Sequence, residues 1–411
     1  MTVKGTVVLA YSGGLDTSCI LAWLIDEGYD VIAYIANIGQ EEDFEAIAAK
    51  AKAVGAKKVF VEDLRREFVE STIWPAIQAN ALYENVYYLG TALARPIITR
   101  TQIEIAKREN ADFVSHGCTG KGNDQVRFEL GYYALKPDIK VIAPWRIPAF
   151  YERFPGRPAL LEYAAQKGIP VVQTAAKPWS TDENMYHISF EAGILEDPDT
   201  TPPPDMWKLT KDVLTNAAEK PEHLTISFKN GIASKVVNHD TGKEVTDILD
   251  LFLYVNELGR KHGIGRVDIV ENRFIGIKSR GCYETPGGTI LLKAHIDLEG
   301  LTLDREVRRL RNEAGDKLGL VLYNGMWFSP ERDFLMAGIL QSQKYVNGDV
   351  RLMLYKGNIV IEGRTSPNSL YDQHIASMDV TEGFHPGDSE GFIKIQSIRL
   401  KAFAHLRSKF E

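Results

Sequence analysis

Ala10-Tyr11-Ser12-Gly13-Gly14-Leu15-Asp16-Thr17-Ser18 stands between an apolar run, Thr6 to Leu9, and an apolar helical pattern, Cys19 to Ile25. The stretch reads as the tight turn between a buried first strand and the helix that follows. Two adjacent glycines accept backbone conformations that a side chain would block. Their amide hydrogens can converge as an anion-binding nest. The helix behind adds unpaired N–H groups and the positive end of its dipole. Ser12, Thr17 and Ser18 add hydroxyl donors. A phosphate group needs this set. A plain Gly-Gly turn capping a helix explains the glycines, but not glycines, hydroxyls, strand and helix in this order.

No lysine lies between Ser12 and Ser18, so the loop is not the Gly-x4-Gly-Lys-Ser/Thr type. Asp16 sits at the helix start instead. A carboxylate beside phosphates repels them unless a cation lies between. The expectation is a Mg²⁺-bound triphosphate with Asp16 near the metal, and no motif marks a metal site of the chain's own. Ser-Gly-Gly-x-Asp-Thr/Ser at the end of a first strand resembles the PP-loop of the N-type ATP pyrophosphatases. That resemblance implies cleavage of ATP between its α- and β-phosphates.

Composition sets the frame. A chain of 411 residues predicts two or three domains, and an apolar fraction of 44% suffices for substantial cores. The net charge of −7 argues against a general polyanion binder. Cys19, Cys118 and Cys282 are far apart and odd in number, with no CxxC pair. They point to a reducing compartment, without a disulfide framework or a cysteine-based zinc site. Residues 1–5 lead directly into the strand that carries the motif, which a cleaved signal peptide would remove. No apolar run approaches the roughly 18 residues of a membrane span. A cytosolic protein is expected.

Over residues 1–175, strand-like runs alternate with helical patterns. Strands are expected at 7–9, 31–36, 58–61, 113–115 and 141–143, each short and near-continuously apolar. Helices are expected at 16–27, 42–54, 65–79, 96–109 and 125–134. This alternation predicts a doubly wound, mainly parallel α/β sheet that binds its ligand at the carboxyl ends of its strands. A helix at 159–166 and a strand at 171–173 close the domain.

The strand at 113–115 leads into a second glycine cluster, His116-Gly117-Cys118-Thr119-Gly120-Lys121-Gly122-Asn123-Asp124, on the same sheet edge. Asn123 or Asp124 is the expected N-cap, and Lys121 can reach a phosphate as a point charge. Arg127, one turn on, can grip a carboxylate with its fork. A flexible loop before a capped helix remains the alternative. The loop from Tyr87 to Arg95 is expected to end at Pro96, in the first turn of a helix, with the Tyr87 and Thr91 hydroxyls toward the edge.

Residues 177–184 read as a domain junction with an ordered loop, and 200–204 as a polyproline-like connection. Beyond them an α+β domain on antiparallel strands is expected over 176–365. Lys229-Asn230-Gly231 and Lys356-Gly357-Asn358 mark hairpins, and helices are expected at 245–262, 303–314 and 330–343. Residues 266–276 and 278–289 are dense in charge and glycine, which suits a polar pocket wall or a solvated surface equally. The last segment, 366–411, is read as a spacer at 387–391 and an amphipathic terminal helix. Phe392, Ile395, Ala402, Phe403, Leu406 and Phe410 form its apolar stripe. Membrane-surface binding is open to such a helix, but an arm joining copies of the chain is favoured.

Cleavage between α- and β-phosphates transfers an adenylyl group to an oxygen, and a nitrogen nucleophile then displaces AMP. Positioning and charge neutralisation suffice, with no covalent nucleophile. Thr2 follows Met1, so no N-terminal cysteine is available for glutamine hydrolysis, and no paired cysteines support sulfur transfer. The amine therefore belongs to a directly bound substrate. A pyrophosphatase with another acceptor, and a nucleotide-binding regulator without chemistry, are the alternatives.

Residues 10–18, 38–40, 89–96, 115–128, 179–184, 190–195, 268–276 and 283–288 together resemble the argininosuccinate synthase family over essentially the whole chain. The resemblance implies MgATP-driven condensation of citrulline with aspartate through a citrullyl-adenylate, releasing AMP and pyrophosphate, in arginine biosynthesis and the urea cycle. It also implies a homotetramer, and no nucleic-acid partner. ATP is then held by Ala10, Tyr11, Ser12, Gly13, Gly14, Leu15, Asp16, Thr17, Ser18 and Ala36. Ser115, His116, Gly117, Cys118, Thr119, Gly120, Lys121, Gly122 and Asn123 complete that site. Citrulline falls to Tyr87, Ala92, Asn123, Arg127, Ser180, Ser189, Glu271 and Tyr283, and aspartate to Thr119, Asn123 and Asp124. Asp16, Lys121, Asn123, Asp124 and Arg127 are the implied catalytic set. Many members carry serine where this chain has Ala92, so any contact there comes from backbone.

Overall fold

The computed structural model describes residues 3–120, 122–170, 178–378 and 383–410. The expected first strand is β1 (Thr6–Ala10), followed by β2 (Asp30–Asn37), β3 (Lys58–Asp63), β4 (Phe113–Ser115) and β5 (Lys140–Ile142). They form one parallel sheet in the order β3-β2-β1-β4-β5. Strand order reverses between β1 and β4, so their carboxyl ends flank the crevice of a doubly wound sheet. The odd and even residues of β1 serve different cores. Val7 and Leu9 pack with Trp23, Phe150 and Phe154 on one face. Val8 joins the larger core on the other, which continues through Trp74 and Leu93 to Leu224, Tyr283 and Tyr323. The two halves of the chain therefore share one apolar core.

Helices α1 (Leu15–Asp26), α2 (Phe44–Val54), α3 (Gly90–Arg108), α4 (Asn123–Leu135) and α5 (Arg157–Gln166) cover the sheet. The helix expected over 65–79 forms as Arg65–Phe68, a π-turn at Val69–Ile73, and Trp74–Gln78, with helical backbone at both junctions. Pro96 lies inside α3 rather than opening it. Leu89, at φ 62°, turns the chain into the helix. Tyr87 Oη then accepts the Thr91 N–H at 3.4 Å, and Asn184 Nδ2 donates to the Gly90 carbonyl at 3.1 Å. Tyr87, just before the helix, and the distant Asn184 set its start, while Pro96 deprives a preceding carbonyl of its N–H. Gly122 is the N-cap of α4, and neither Asn123 nor Asp124 caps it. The strand expected at 171–173 lies outside the described residues.

The second half adds β6 (Ser180–Glu183), β7 (Ile188–Glu191), β8 (Glu222–Lys229), β9 (Ile232–Asn238), β10 (Glu244–Val245), β11 (Arg266–Asn272), β12 (Lys278–Glu284), β13 (Gly348–Tyr355) and β14 (Asn358–Thr365). One antiparallel sheet runs β10-β9-β8-β13-β14 and another β11-β12-β7-β6. Both predicted hairpins form. Asn230 and Gly231 take φ 52° and 74°, the left-handed pair that a two-residue turn requires. Residues 180–183, expected as loop, form β6 because they pair with β7 in register from Ser180↔Glu191 to Glu183↔Ile188.

Helices α6 (Ile248–Lys261), α7 (Pro286–Thr302), α8 (Arg305–Tyr323), α9 (Pro330–Gln343) and α10 (Pro386–Arg407) complete the chain. The presumed spacer at 387–391 is helical, forming the start of α10. Buried charge ties α7 to α8. Glu299 and Arg311 are buried and form an ion pair. Asn80 Nδ2 and Gln343 Nε2 complete the Glu299 carboxylate at 2.8 and 2.9 Å. Removing one partner of such a pair strands a buried charge. Arg311→Met should therefore lower unfolding stability in urea by about 3–5 kcal/mol, and a loss below about 1 kcal/mol would show that the network is replaceable.

Candidate active site

Both glycine loops leave strands at the switch point. In the first, Gly13 has φ 75°, and a Cβ there would meet Ile47 at 2.9 Å. Ile47 and Lys50 lie on one face of α2, and Lys50 Nζ donates to the Gly13 carbonyl at 2.7 Å. Lys50 was not singled out by motif, since only the three-dimensional approach of α2 reveals it. Tyr11 Oη and Ser18 Oγ are hydrogen-bonded at 2.9 Å and buried. The expected Ser18 hydroxyl donor thus faces the core, because Tyr11 follows a strand whose side chains are buried. Ser12 Oγ and Thr17 Oγ1 pair at 3.1 Å nearer the surface. Burial raises the Asp16 carboxyl above its usual range, against the pull of the Arg157 charge. Ala10 ends β1, and Ala36 lies near the end of β2, its carbonyl accepting from Gln40 Nε2 at 2.8 Å.

The second loop packs directly on the first, since a Cβ on Gly117 would meet Thr17 Cγ2 at 2.8 Å. His116 is its internal brace. The Cys118 N–H donates to Nδ1 at 3.2 Å, which leaves Nε2–H to donate to Glu129 at 3.1 Å. Burial alone would raise the Glu129 carboxyl, but hydrogen bonds from His116 and Arg146 hold it below its usual range. The Ser115 and His116 side chains are buried, so only their backbone can face a nucleotide. Thr119 and Gly120 are exposed, and Lys121 lies outside the described residues.

The second loop opens into a cavity of about 270 Å³. Gly117, Cys118, Thr119, Gly122, Asn123, Asp124 and Arg127 form one wall. Tyr87 and Thr91 from the first half, and Asp182, Ser189, Glu191, Glu271, Arg273, Tyr283 and Tyr323 from the second, form the others. Of the expected citrulline contacts, Tyr87, Asn123, Arg127, Ser189, Glu271 and Tyr283 meet here. Ala92 does not line the cavity and is buried in the first turn of α3. Ser180 lies apart, in a surface groove with Trp179 and Ile194. Asp182, Glu191, Arg273 and Tyr323 were missed as site residues, because sheet pairing and helix packing bring them in.

The cavity is electrostatically structured. Arg127 Nε donates to the Tyr323 carbonyl at 3.0 Å, and its Nη1 to Asp124 at 3.0 Å. Burial would raise the Asp124 carboxyl, but the charges of Arg95 and Arg127 hold it well below the usual range. Arg273 pairs with Glu191. The Tyr283 hydroxyl donates to Glu271 Oε1 at 2.5 Å, while Oε2 is buried with no hydrogen-bond partner among the described residues. Burial raises the Glu271 carboxyl despite the Tyr283 hydrogen bond, the nearby Tyr323 hydroxyl and the charges of Arg127 and Arg273. Tyr283 is also stacked on Tyr87, with ring centroids 4.2 Å apart.

A model described as the arginosuccinate synthase N-terminal HUP domain matches residues 6–170, and one for the arginosuccinate synthase C-terminal domain matches 179–403. The chain belongs to the argininosuccinate synthase family. The argininosuccinate synthase of Schizosaccharomyces pombe is 61% identical over 396 residues, covering 96% of both chains. That of Homo sapiens is 58% identical over 409 residues, covering 100% of this chain and 99% of its own. That of Saccharomyces cerevisiae is 58% identical over 406 residues, covering 97% and 96%. As an argininosuccinate synthase family member, the chain is an ATP-using ligase that forms a C–N bond.

A side chain at position 13 would strain a left-handed backbone and collide with Ile47. Gly13→Ala should weaken ATP binding by ~10-fold or more, since about 1.4 kcal/mol of strain corresponds to one decade. Calorimetric titration with a non-hydrolysable ATP analogue measures this, and circular dichroism should show the fold unchanged. Unaltered affinity would remove the nest from the nucleotide site.

Proposed function

We propose that this cavity and its two glycine loops join citrulline to aspartate in two steps. The citrulline ureido oxygen attacks the α-phosphorus of ATP. The bond from that phosphorus to the bridging oxygen breaks, and pyrophosphate leaves. The aspartate amine then attacks the ureido carbon, the carbon–oxygen bond to the adenylyl group breaks, and AMP leaves. The amine proton is lost as the new C–N bond forms. The observation that carries this reading is Glu271, a buried carboxylate with one free oxygen on the wall of a cavity lined by the second loop, on which the first loop packs.

Glu271 receives the α-ammonium of citrulline, and Arg127 its carboxylate, because Nε and Nη1 are held and Nη2 has no hydrogen-bond partner among the described residues. Tyr87 and Tyr283, stacked on each other, line one side of the aliphatic stem. Asp124, Asn123 and Thr119 receive aspartate. Asp124 stays ionised between its arginines, so it accepts from the ammonium of aspartate and does not store its proton. ATP lies along residues 10–18 and 115–123, with Lys121 toward the phosphates. Mg²⁺ arrives with the triphosphate as part of the substrate. Asp16 fits as a single neighbouring carboxylate, in the first turn of α1 beside the paired hydroxyls of Ser12 and Thr17. Among the described residues no cluster of three ligating side chains could hold the ion alone.

Phe392, Ile395, Phe403, Leu406 and Phe410 are each more than half exposed on and after α10, an arm suited to embracing another copy in a homotetramer. Three free thiols suit the reducing cytosol.

Pyrophosphate release from MgATP and aspartate should require citrulline, and release with other ureido or carboxylate acceptors alone would reject the proposed substrate. Asp124→Ala should raise the aspartate KM by ~10- to 100-fold while leaving adenylate formation without aspartate largely intact. Equal impairment of both would overturn the role of Asp124. Deleting residues 386–411 should lower the oligomeric state seen by light scattering, and an unchanged mass would exclude the arm.

A further inference from the structure

Arg95 does not line the cavity, yet it joins the cavity's two halves. It lies one turn beyond Thr91 on α3, with its side chain 11% exposed. A single nitrogen, Nη2, donates to Asp124 Oδ2 at 2.7 Å and to Asp182 Oδ2 at 2.6 Å. Asp124 is in the first turn of the helix behind the second glycine loop, while Asp182 belongs to β6 of the other half. Thr91 Oγ1 also donates to Asp182 Oδ2, at 3.3 Å, and pairs with His187 Nε2 at 3.0 Å. Thr91 and Arg95, four residues apart, thus grip one carboxylate from a single helical face.

The arrangement is not the best attainable for stability alone. Arg95 Nε is buried with no hydrogen-bond partner among the described residues. Two carboxylates are drawn onto the same nitrogen, where they repel each other. Both of those carboxylates line the cavity. Local arrangements that forgo a buried hydrogen bond concentrate at functional sites. Arg127 cannot substitute for Arg95. Its Nε is committed to the Tyr323 carbonyl and its Nη1 to Asp124 Oδ1, and neither bonds Asp182.

We propose that Arg95 is a positioning residue for the second half-reaction, fixing Asp124 against β6 so that the aspartate amine approaches the adenylate in register. This rests on the assignment of Asp124 to aspartate. Adenylation of citrulline, which uses the glycine loops, Arg127 and Glu271, does not need the Arg95 link.

The test separates the half-reactions. Citrulline-dependent exchange of labelled pyrophosphate into ATP, without aspartate, reports adenylation, and steady-state turnover reports the aspartate KM. Arg95→Met should raise that KM by ~10- to 100-fold with exchange held within about threefold, a split expected of a misplaced group. Arg95→Lys should recover part of the loss, because an ammonium can hold one of the two carboxylates. Arg95→Gln keeps a polar side chain but removes the charge that holds both carboxylates, so it gives a second reading if Arg95→Met fails to fold. It too should raise the aspartate KM and spare exchange. Exchange falling in step with aspartate use would mark Arg95 as structural and overturn the proposal. An unchanged aspartate KM in either soluble variant would do the same. If Asp124→Ala also leaves that KM unchanged, the assignment of Asp124 fails. If only Asp124→Ala raises it, the positioning role alone fails.

Discussion

Four carboxylates converge on the cavity with three guanidinium groups among them. Asp124 and Asp182 meet on Arg95, Asp124 also meets Arg127, and Glu191 meets Arg273. Glu271 is left with a tyrosine hydroxyl. Packed without the arginines, these acids would repel one another in a poorly solvated space. With them, repulsion becomes cross-linking between elements far apart in sequence. One negative charge remains in excess, on the group with an unpaired oxygen. Under the proposed function, a zwitterionic amino acid would place its ammonium on such a spot, and a partly committed arginine beside it would receive the carboxylate.

This charge pattern depends on the sheet edge beneath it. Reversal of strand order between β1 and β4 leaves a crevice, and each strand delivers a glycine loop into it. The close approach of Gly117 to Thr17 makes the two loops one surface. The shared core behind Tyr87, Tyr283 and Tyr323 then holds the second half against that surface. Chemistry divided between two halves needs such rigidity, because small misplacements of reacting groups are expensive in rate.

Local signals were legible in the sequence. Ser12-Gly13-Gly14 between strand and helix, Asn230-Gly231 between strands, and the three-residue spacing of Asp124 and Arg127 each specify geometry through neighbouring residues. What escaped was set at a distance. The start of α3 depends on Asn184, 94 residues from Gly90, so Pro96 misled. In β11 the alternation is inverted, with Val270 half exposed and Glu271 buried. That inversion obscured a strand because polarity there follows the cavity rather than the apolar core. The helix Pro286–Thr302 was hidden because it buries most of its circumference, leaving little contrast between faces.

The absence of lysine from the opening loop now has a physical counterpart. Lys50 approaches from α2, but its ammonium binds the Gly13 carbonyl. In a planar trans peptide the carbonyl and the following N–H point in opposite directions. Holding the Gly13 oxygen toward α2 therefore aims the Gly14 N–H away from α2. The lysine acts on backbone shape instead of serving as a fixed charge on phosphate. Within residues 10–18 the only charged side chain is Asp16. A loop of neutral donors with one carboxylate grips a triphosphate less tightly than one with a built-in ammonium. That suits a reaction in which pyrophosphate must depart while the adenylyl group stays for the second nucleophile.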